Sequence, residues 1–225
     1  MPRTPGEPLA LARERLSLIV ITDPDCGAGR DLVEVTRLAL SGGAPCIQLR
    51  AKEASAREMA SLARLLLEET HRAGALFFVN DRVDVALAVG ADGVHIGSDD
   101  LPVAAARAIV PAGFLVGRSV DTPHEAKVAI EEGADYLGVG PVFATGSKGD
   151  AGPLVGLAGV RAVREAAGLR PVVGIGGIEV GNAAEVVAAG ADGVAVIAAV
   201  MRAENPRVAA EGLLDSVRRG RGGDG

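Results

Sequence analysis

Gln48, Arg50 and Lys52 stand at every second position of the stretch Cys46-Ile47-Gln48-Leu49-Arg50-Ala51-Lys52. A β-strand alternates its side chains between two faces. Read as a strand running into a loop, the stretch puts Ile47 and Leu49 on an apolar face, and an amide and two cations on the other. Such groups are costly among core residues unless they are paired. An ion pair with Glu53 or Asp31 would satisfy Arg50 alone. For the three together an anionic ligand is the better partner.

Asp81 and Asp100 each follow an apolar run of strand length. Loop carboxylates that converge beside cations suit a hard divalent ion, above all Mg2+ bridging to substrate phosphates. The structural alternative for Asp81 is a helix cap, and spacing alone does not separate Asp100 from Asp99. Gly176-Gly177 and the turn after the eighth strand candidate, Gly193–Ala198, offer bare backbone N–H groups near helix starts, where barrels often hold a phosphate. Between Ala144 and Leu154 lies a long loop with Gly146, Gly149 and Gly152, read as a mobile lid bearing Thr145, Ser147 and Lys148. Two anion sites result, one of metal and cations and one of backbone N–H groups. That arrangement fits the joining of two phosphorylated small molecules better than the hydrolysis of one. Of the histidines, His95 reads as a hydrogen-bonded core residue, His71 as a surface residue on a helix, and His124 opens a helix near the rim with its role open.

The elements that must position these residues alternate along the chain. Strand candidates are Leu18–Thr22, Cys46–Arg50, Leu76–Asn80, Gly93–Gly97, Leu115–Ser119, Tyr136–Val142, Val172–Gly176 and Gly193–Ala198. Stretches of helical period follow each, near 30–41, 55–73, 83–89, 102–110, 123–132, 156–167, 181–189 and 206–218. Eight strand–helix units in about 200 residues predict a single (β/α)8 TIM barrel, whose sites form from the loops after the strands. A doubly wound open sheet would call for an early G-x-G-x-x-G, and none follows the first strand. The strand ends bring Asp23, Asp25, Asn80, Asp81, Arg82, Ser98, Arg118, Ser119 and Asp121 toward that rim. Gly138, Gly140, Gly174 and Gly176 are read as inward-facing, leaving room for a ligand at the mouth. Gly-Ala-Asp recurs at 90–92, 133–135 and 190–192 just before three strands, with a looser copy at 43–45. Its aspartates are read as structural, bonding backbone at the bottom of the next strand. Residues 1–16 form an N-terminal extension with a short helix over Leu9–Arg15, residues 17–217 the barrel, and residues 218–225 a disordered tail.

Composition narrows the function. A net charge of −6 and 2% aromatics leave neither a basic footprint nor stacking platforms for nucleic acid. No apolar run approaches the ~18 residues of a membrane span, and Arg13, Glu14 and Arg15 break up the N-terminal apolar run. The two cysteines, Cys26 and Cys46, have no metal or redox spacing. A cytoplasmic setting is expected, with oligomeric state, a homo-oligomer included, left open. Only three of the 23 cationic residues are Lys, namely Lys52, Lys127 and Lys148. A chain that uses Arg almost everywhere keeps Lys where a compact ammonium serves.

The segments Gln48-Leu49-Arg50-Ala51-Lys52, Asn80-Asp81-Arg82, Ala91 to Gly97 with Asp99-Asp100, Gly140-Pro141-Val142-Phe143, Lys148 and Ile175-Gly176-Gly177-Ile178 together resemble the thiamine-phosphate synthase family, over roughly Leu16 to Val200. The resemblance implies a transferase of thiamine biosynthesis. Its reaction joins 4-amino-2-methyl-5-hydroxymethylpyrimidine diphosphate to 4-methyl-5-(2-phosphoethyl)thiazole, giving thiamine phosphate and pyrophosphate through dissociative loss of pyrophosphate. It implies that Gln48 holds the pyrimidine; that Arg50, Lys52, Asn80, Ser119 and Lys148 hold the diphosphate; that Asp81 and Asp100 bind Mg2+; and that Thr145, Ser147, Gly177, Ile197 and Ala198 hold the thiazole phosphate. Arg50, Lys52, Ser119 and Lys148 are the implied catalytic residues. The chain departs from the family pattern at Ser98, Ala144, Ser147 and Ala198, where Gln, Pro, Thr and Ser are usual. Rival readings are the thiazole tautomerase of the same fold, a Schiff-base aldolase using Lys52 or Lys148, and a non-catalytic phosphate-binding barrel.

Overall fold

Linkers too short for any other crossover make each strand return through a helix to a parallel neighbour. The computed structural model describes residues 13–24, 29–146 and 153–222. Its strands are β1 (Leu18–Ile21), β2 (Cys46–Leu49), β3 (Leu76–Asn80), β4 (Gly93–Ile96), β5 (Leu115–Val120), β6 (Tyr136–Val139), β7 (Val172–Ile175) and β8 (Gly193–Val196). They form a closed parallel barrel in chain order, with β8 pairing back on β1 through Leu18 and Val194. The outer layer is α1 (Leu32–Ser41), α2 (Ala56–Arg72), α3 (Val83–Val89), α4 (Val103–Ile109), α5 (Pro123–Glu131), α6 (Gly156–Ala167), α7 (Ala183–Ala188), a short α8 (Ala198–Met201) and α9 (Pro206–Arg221). The expected (β/α)8 TIM barrel is the observed one. Helix starts follow local chemistry: Ser55 with Glu58, and Thr122 with Glu125, form capping boxes.

Several boundaries move, each for a stated reason. β6 stops at Val139 rather than Val142, because Pro141 has no N–H to give a ladder. β8 ends at Val196, and Ala198, expected in the strand, instead opens α8, which the sequence pattern did not reveal. α9 continues to Arg221, so residues 218–221 are helical rather than part of a loose tail. Arg221 anchors that end by donating to Glu14 Oε2 and to the carbonyl of Asp192, each at 2.6 Å. Residues 13–15 are helical, within the expected N-terminal helix whose remainder lies outside the described residues. Cys46 is a buried free thiol, and Cys26 lies outside the described residues.

The Gly-Ala-Asp repeat closes the bottom of the barrel. Asp92, Asp135 and Asp192 precede β4, β6 and β8, yet their carboxylates accept from the strand before, at Phe77, Val116 and Val172 N–H, each at 2.8 Å. The backbone N–H of each aspartate donates back to the carbonyl of the same residue. The expected bond to the following strand is therefore corrected: the N–H groups of Phe77, Val116 and Val172 would otherwise be buried unpaired. A side chain from the helix layer covers each carboxylate, His71 for Asp92, Arg107 for Asp135 and Arg164 for Asp192.

One inward assignment reverses. A Cβ on Gly174 would lie 2.4 Å from Val186 Cγ1 of α7, so this glycine faces the helices. Both faces of a strand in a parallel barrel are apolar, so alternation carries no inside-outside signal. Among the described residues no helix is long and apolar enough to cross a membrane.

Candidate active site

The strand ends open into a cavity of about 730 Å³, lined by residues from seven of the eight strand–loop units. β2 supplies Gln48, Arg50 and Lys52 by two means. Gln48 is still on the strand, buried, and donates through Nε2 to Asn80 Oδ1 at 2.6 Å. It therefore lies beneath the cavity rather than on its wall. Arg50 follows the strand, where its N–H donates to Thr22 Oγ1 at 3.0 Å, and Lys52 sits in the turn beyond. Both line the cavity. The extension that would have put all three on one face ends at Leu49; the loop brings the two cations to the wall instead. Neither Glu53 nor Asp31 pairs with Arg50 among the described residues.

β3 ends in Asn80 and Asp81, both on the wall. Asp81 has φ 65°, the one positive φ of a non-glycine residue among those described. Few side chains tolerate that region, and residues held there cluster at functional sites. Its N–H donates to the His95 carbonyl at 2.8 Å, while Arg82 N–H reaches back to Asn80 O at 2.7 Å. Arg82, not Asp81, occupies the N-cap of α3, without a side-chain cap bond. The helix-cap alternative for Asp81 is thus removed. Arg82 itself turns away to Asp84.

β4 leads into Gly97-Ser98-Asp99-Asp100, all on the wall. Asp100 Oδ2 accepts from Gly97 N–H at 2.8 Å. A Cβ built on Gly97 would be 2.9 Å from Asp100 Oδ2 and 3.9 Å from Asp81 Oδ1, so the two carboxylates share one corner. Arg118 on β5 holds that loop from behind, donating to the carbonyls of Gly97 and Ser98. This holding role was not legible in the sequence, where Arg118 was one more cation at a strand end. Ser119 lines the cavity beside it, with its Oγ 3.0 Å from His95 Nε2.

The opposite wall is mostly backbone. Gly176 and Gly177 have φ 98° and 64°. A Cβ on Gly177 would lie 2.6 Å from the carbonyl of Ala144, so glycine lets the loop after β7 press against the start of the loop after β6. Thr145 and Gly146 of that second loop line the cavity. Ser147 and Lys148 lie outside the described residues. Ile197 and Ala198, at the start of α8, complete this side. Of the expected site residues, Arg50, Lys52, Asn80, Asp81, Asp100, Ser119, Thr145, Gly177, Ile197 and Ala198 therefore share one cavity. Asp23 pairs with Arg202 at 3.9 Å and is not on the wall, and Asp25 lies outside the described residues.

Sequence reasoning missed Glu179, which reaches the cavity from the loop after Gly177. Its signal, an acid two residues past a glycine pair, is too common to single out. Among the described lining residues, Asp81, Asp99, Asp100, Asp121 and Glu179 are acidic and only Arg50 and Lys52 are basic. Burial first, then Glu125, holds the Asp121 carboxyl above its ordinary range. Among the described residues no three His, Cys, Asp or Glu side chains group to hold a metal unaided. Two carboxylates on one corner, completed by substrate oxygens, are the set that Mg2+ accepts.

A family model described as "Thiamine monophosphate synthase" matches residues 18–200. The thiamine-phosphate synthase of Moorella thermoacetica is 54% identical over 205 residues, 91% of this chain and 97% of that protein. That of Methanoculleus marisnigri is 54% identical over 200 residues, 89% and 94% of the two chains. The solved structure of thiamine phosphate pyrophosphorylase from Pyrococcus furiosus superposes with a TM-score of 0.85 at 47% identity, covering 93% of this chain and 98% of that one.

Proposed function

Because the chain belongs to the thiamine monophosphate synthase family and is a transferase, we propose that it makes thiamine phosphate from 4-amino-2-methyl-5-hydroxymethylpyrimidine diphosphate and 4-methyl-5-(2-phosphoethyl)thiazole, with release of pyrophosphate. The observation that carries this reading is the division of the cavity. Arg50, Lys52, Asn80 and Ser119 stand with two carboxylates on one wall, and glycine backbone faces them on the other.

On the ionic wall Arg50 and Lys52 hold the diphosphate, joined by Lys148 from the loop after β6. Asn80 has committed its Oδ1 to Gln48, which leaves its amide N–H groups to donate to the same anion. Gln48 orients the pyrimidine from below. Asp81 and Asp100 would hold Mg2+, which when bound supplies charge neutralisation to the departing diphosphate. The bond between the pyrimidine methylene and the diphosphate oxygen breaks with both electrons leaving on oxygen. The thiazole nitrogen then gives its lone pair to the cation, forming the C–N bond. No proton is transferred, so neither nucleophile nor general base is needed. The protein's share is to aim fixed donors at the oxygens where charge develops and to align the second reactant. Thr145, Gly177, Ile197 and Ala198 hold the thiazole phosphate on the backbone wall, and the family resemblance adds Ser147 to that set.

A coupled assay with both substrates, with and without Mg2+, on wild type and Lys52→Ala tests this. Product should form only with the metal, and the variant should be slowed about 10²-fold or more, as for loss of a charge-stabilising donor. Equal rates in wild type and variant would remove Lys52 from the machinery. No pyrophosphate release by wild type would sink the reading.

A further inference from the structure

Three side chains that the proposed reaction leaves mostly unexplained form a chain inside the barrel. Tyr136 Oη on β6 lies 2.9 Å from His95 Nδ1 on β4, and His95 Nε2 lies 3.0 Å from Ser119 Oγ on β5. Interior glycines make the room. A Cβ on Gly117 would fall 2.1 Å from Tyr136 Cζ, and one on Gly138 would fall 2.9 Å from His95 Cε1. Phe78 stacks on the tyrosine ring at 5.7 Å.

A neutral imidazole has one donor and one acceptor nitrogen, so the chain runs in one of two directions. In the first, Nδ1–H donates to Tyr136 and Ser119 donates to Nε2. The tyrosine proton then has no acceptor among the described residues, and the serine has no proton for the cavity. In the second, Tyr136 donates to Nδ1, Nε2–H donates to Ser119, and the serine proton is left for a ligand. Tyr136 is 1% exposed, and His95 is the hydrogen-bond partner of its hydroxyl among the described residues. Burial raises its pKa well above the ordinary value, so the proton stays on oxygen. A buried hydroxyl proton without an acceptor is costly, which selects the second direction.

We propose that Tyr136 fixes His95 as its Nε2–H tautomer, and that His95 thereby commits the Ser119 hydroxyl to donate into the cavity toward the diphosphate. Tyr136 and His95 are positioning residues, acting through Ser119. The proposal rests on the reading of Ser119 as a diphosphate contact.

The chain has three histidines, so the ring nitrogens of [15N]histidine-labelled protein can be assigned with His71→Gln and His124→Gln. In the wild type His95 should show a pyridine-type shift at Nδ1 and a pyrrole-type shift at Nε2. Tyr136→Phe should abolish that preference and weaken pyrophosphate binding in Mg2+ roughly 5-fold, the scale of one neutral hydrogen bond. On a Ser119→Ala background the same substitution should cost nothing further in pyrophosphate binding. A pyridine-type shift at Nε2 in the wild type overturns the proposal, and so do losses from Tyr136→Phe and Ser119→Ala that simply add. The tautomer is read on the resting protein and needs no variant of the tyrosine. Failure of the relay therefore shows in the spectrum, whereas failure of the proposed reaction shows in the coupled assay.

Discussion

Gly177→Ala tests the idea that backbone contact between two loops builds the second wall of the cavity. Gly177 has φ 64°, where an L side chain is strained by roughly 1–2 kcal/mol. The added Cβ would also sit 2.6 Å from Ala144 O and 2.7 Å from Phe143 Cβ. Both are closer than atoms pack, and neither belongs to the far end of a flexible chain. Overpacking of this kind costs about 1–3 kcal/mol. Together the two effects give a loss of about 2–5 kcal/mol. At roughly 2–4 °C per kcal/mol for a chain of this size, Tm should fall by about 4–20 °C. Four residues on, a Cβ at Gly181 would meet nothing within 4 Å, and no positive φ constrains it. Gly181→Ala should therefore leave Tm unchanged or raise it slightly, by the ~0.4–1 kcal/mol that restricting the unfolded chain supplies. Thermal melts of both variants, with KM for the thiazole phosphate, make the comparison. The surviving fraction of Gly177→Ala should show a raised KM for that substrate, because the clash pushes on the segment leading to Thr145. A Gly177→Ala protein that melts within a degree of wild type, or a Gly181→Ala protein that loses as much, would refute the reasoning.

Ala198→Ser places a hydroxyl at the first residue of α8 on the cavity wall, and a phosphate titration should show binding tighter by roughly 5-fold, about 1 kcal/mol; no gain would show that backbone alone serves there. Glu69, held mainly by its hydrogen bonds from Arg37 and then Arg72, has its pKa lowered from 4.5 to about 2. Its contribution is present above the unfolded pKa and lost as pH falls through the folded one, so the Tm difference between wild type and Glu69→Gln should vanish by about pH 2, as measured by melts against pH. Asp100→Asn should weaken pyrophosphate binding in Mg2+ but improve it without divalent metal, since the carboxylate then only repels the anion; calorimetric titrations showing the same sign in both conditions would contradict the ligand role.

Periodicity revealed the barrel because eight apolar runs separated by helical stretches admit few closed arrangements. Boundaries were harder, since they depend on single residues. Pro141 cut β6 short, and Ala198 left β8 for a four-residue helix whose composition is equally strand-like. The phase of β7 was misread at Gly174 because a strand buried on both faces has no polar side to mark it. Residues with chemistry at strand ends were legible: Arg50, Lys52, Asn80, Asp81, Asp100 and Ser119 all reach the cavity. What could not be read was which of them touch one another. The Gln48–Asn80 bond and the Tyr136–His95–Ser119 chain join strands far apart in sequence, at distances that only the closed barrel sets. Nor does sequence separate Arg82, which turns back to Asp84, from Arg50, which does not.

The charge of the cavity explains why its parts must act together. Five carboxylates against two cations, among the described lining residues, make a poor resting site for a diphosphate. Close like charges repel strongly where water is scarce, so Arg50 and Lys52 alone would not overcome Asp81, Asp99 and Asp100. On the proposed reading, the same acids would become useful by holding a divalent cation that neutralises the diphosphate. The strained backbone at Asp81 fits this account. Its φ of 65° serves no helix cap, and the α3 N-cap beside it, Arg82, makes no side-chain cap bond. A conformation that costs energy and caps nothing persists when it aims a side chain at something else. The corner that Asp81 shares with Asp100 is that target, and Arg118 holds the loop that carries Asp100 to it. On the proposed reaction, an acid-rich wall would make diphosphate binding depend on the metal, so that the leaving group would be held tightly only when the ion that stabilises its departure is present as well.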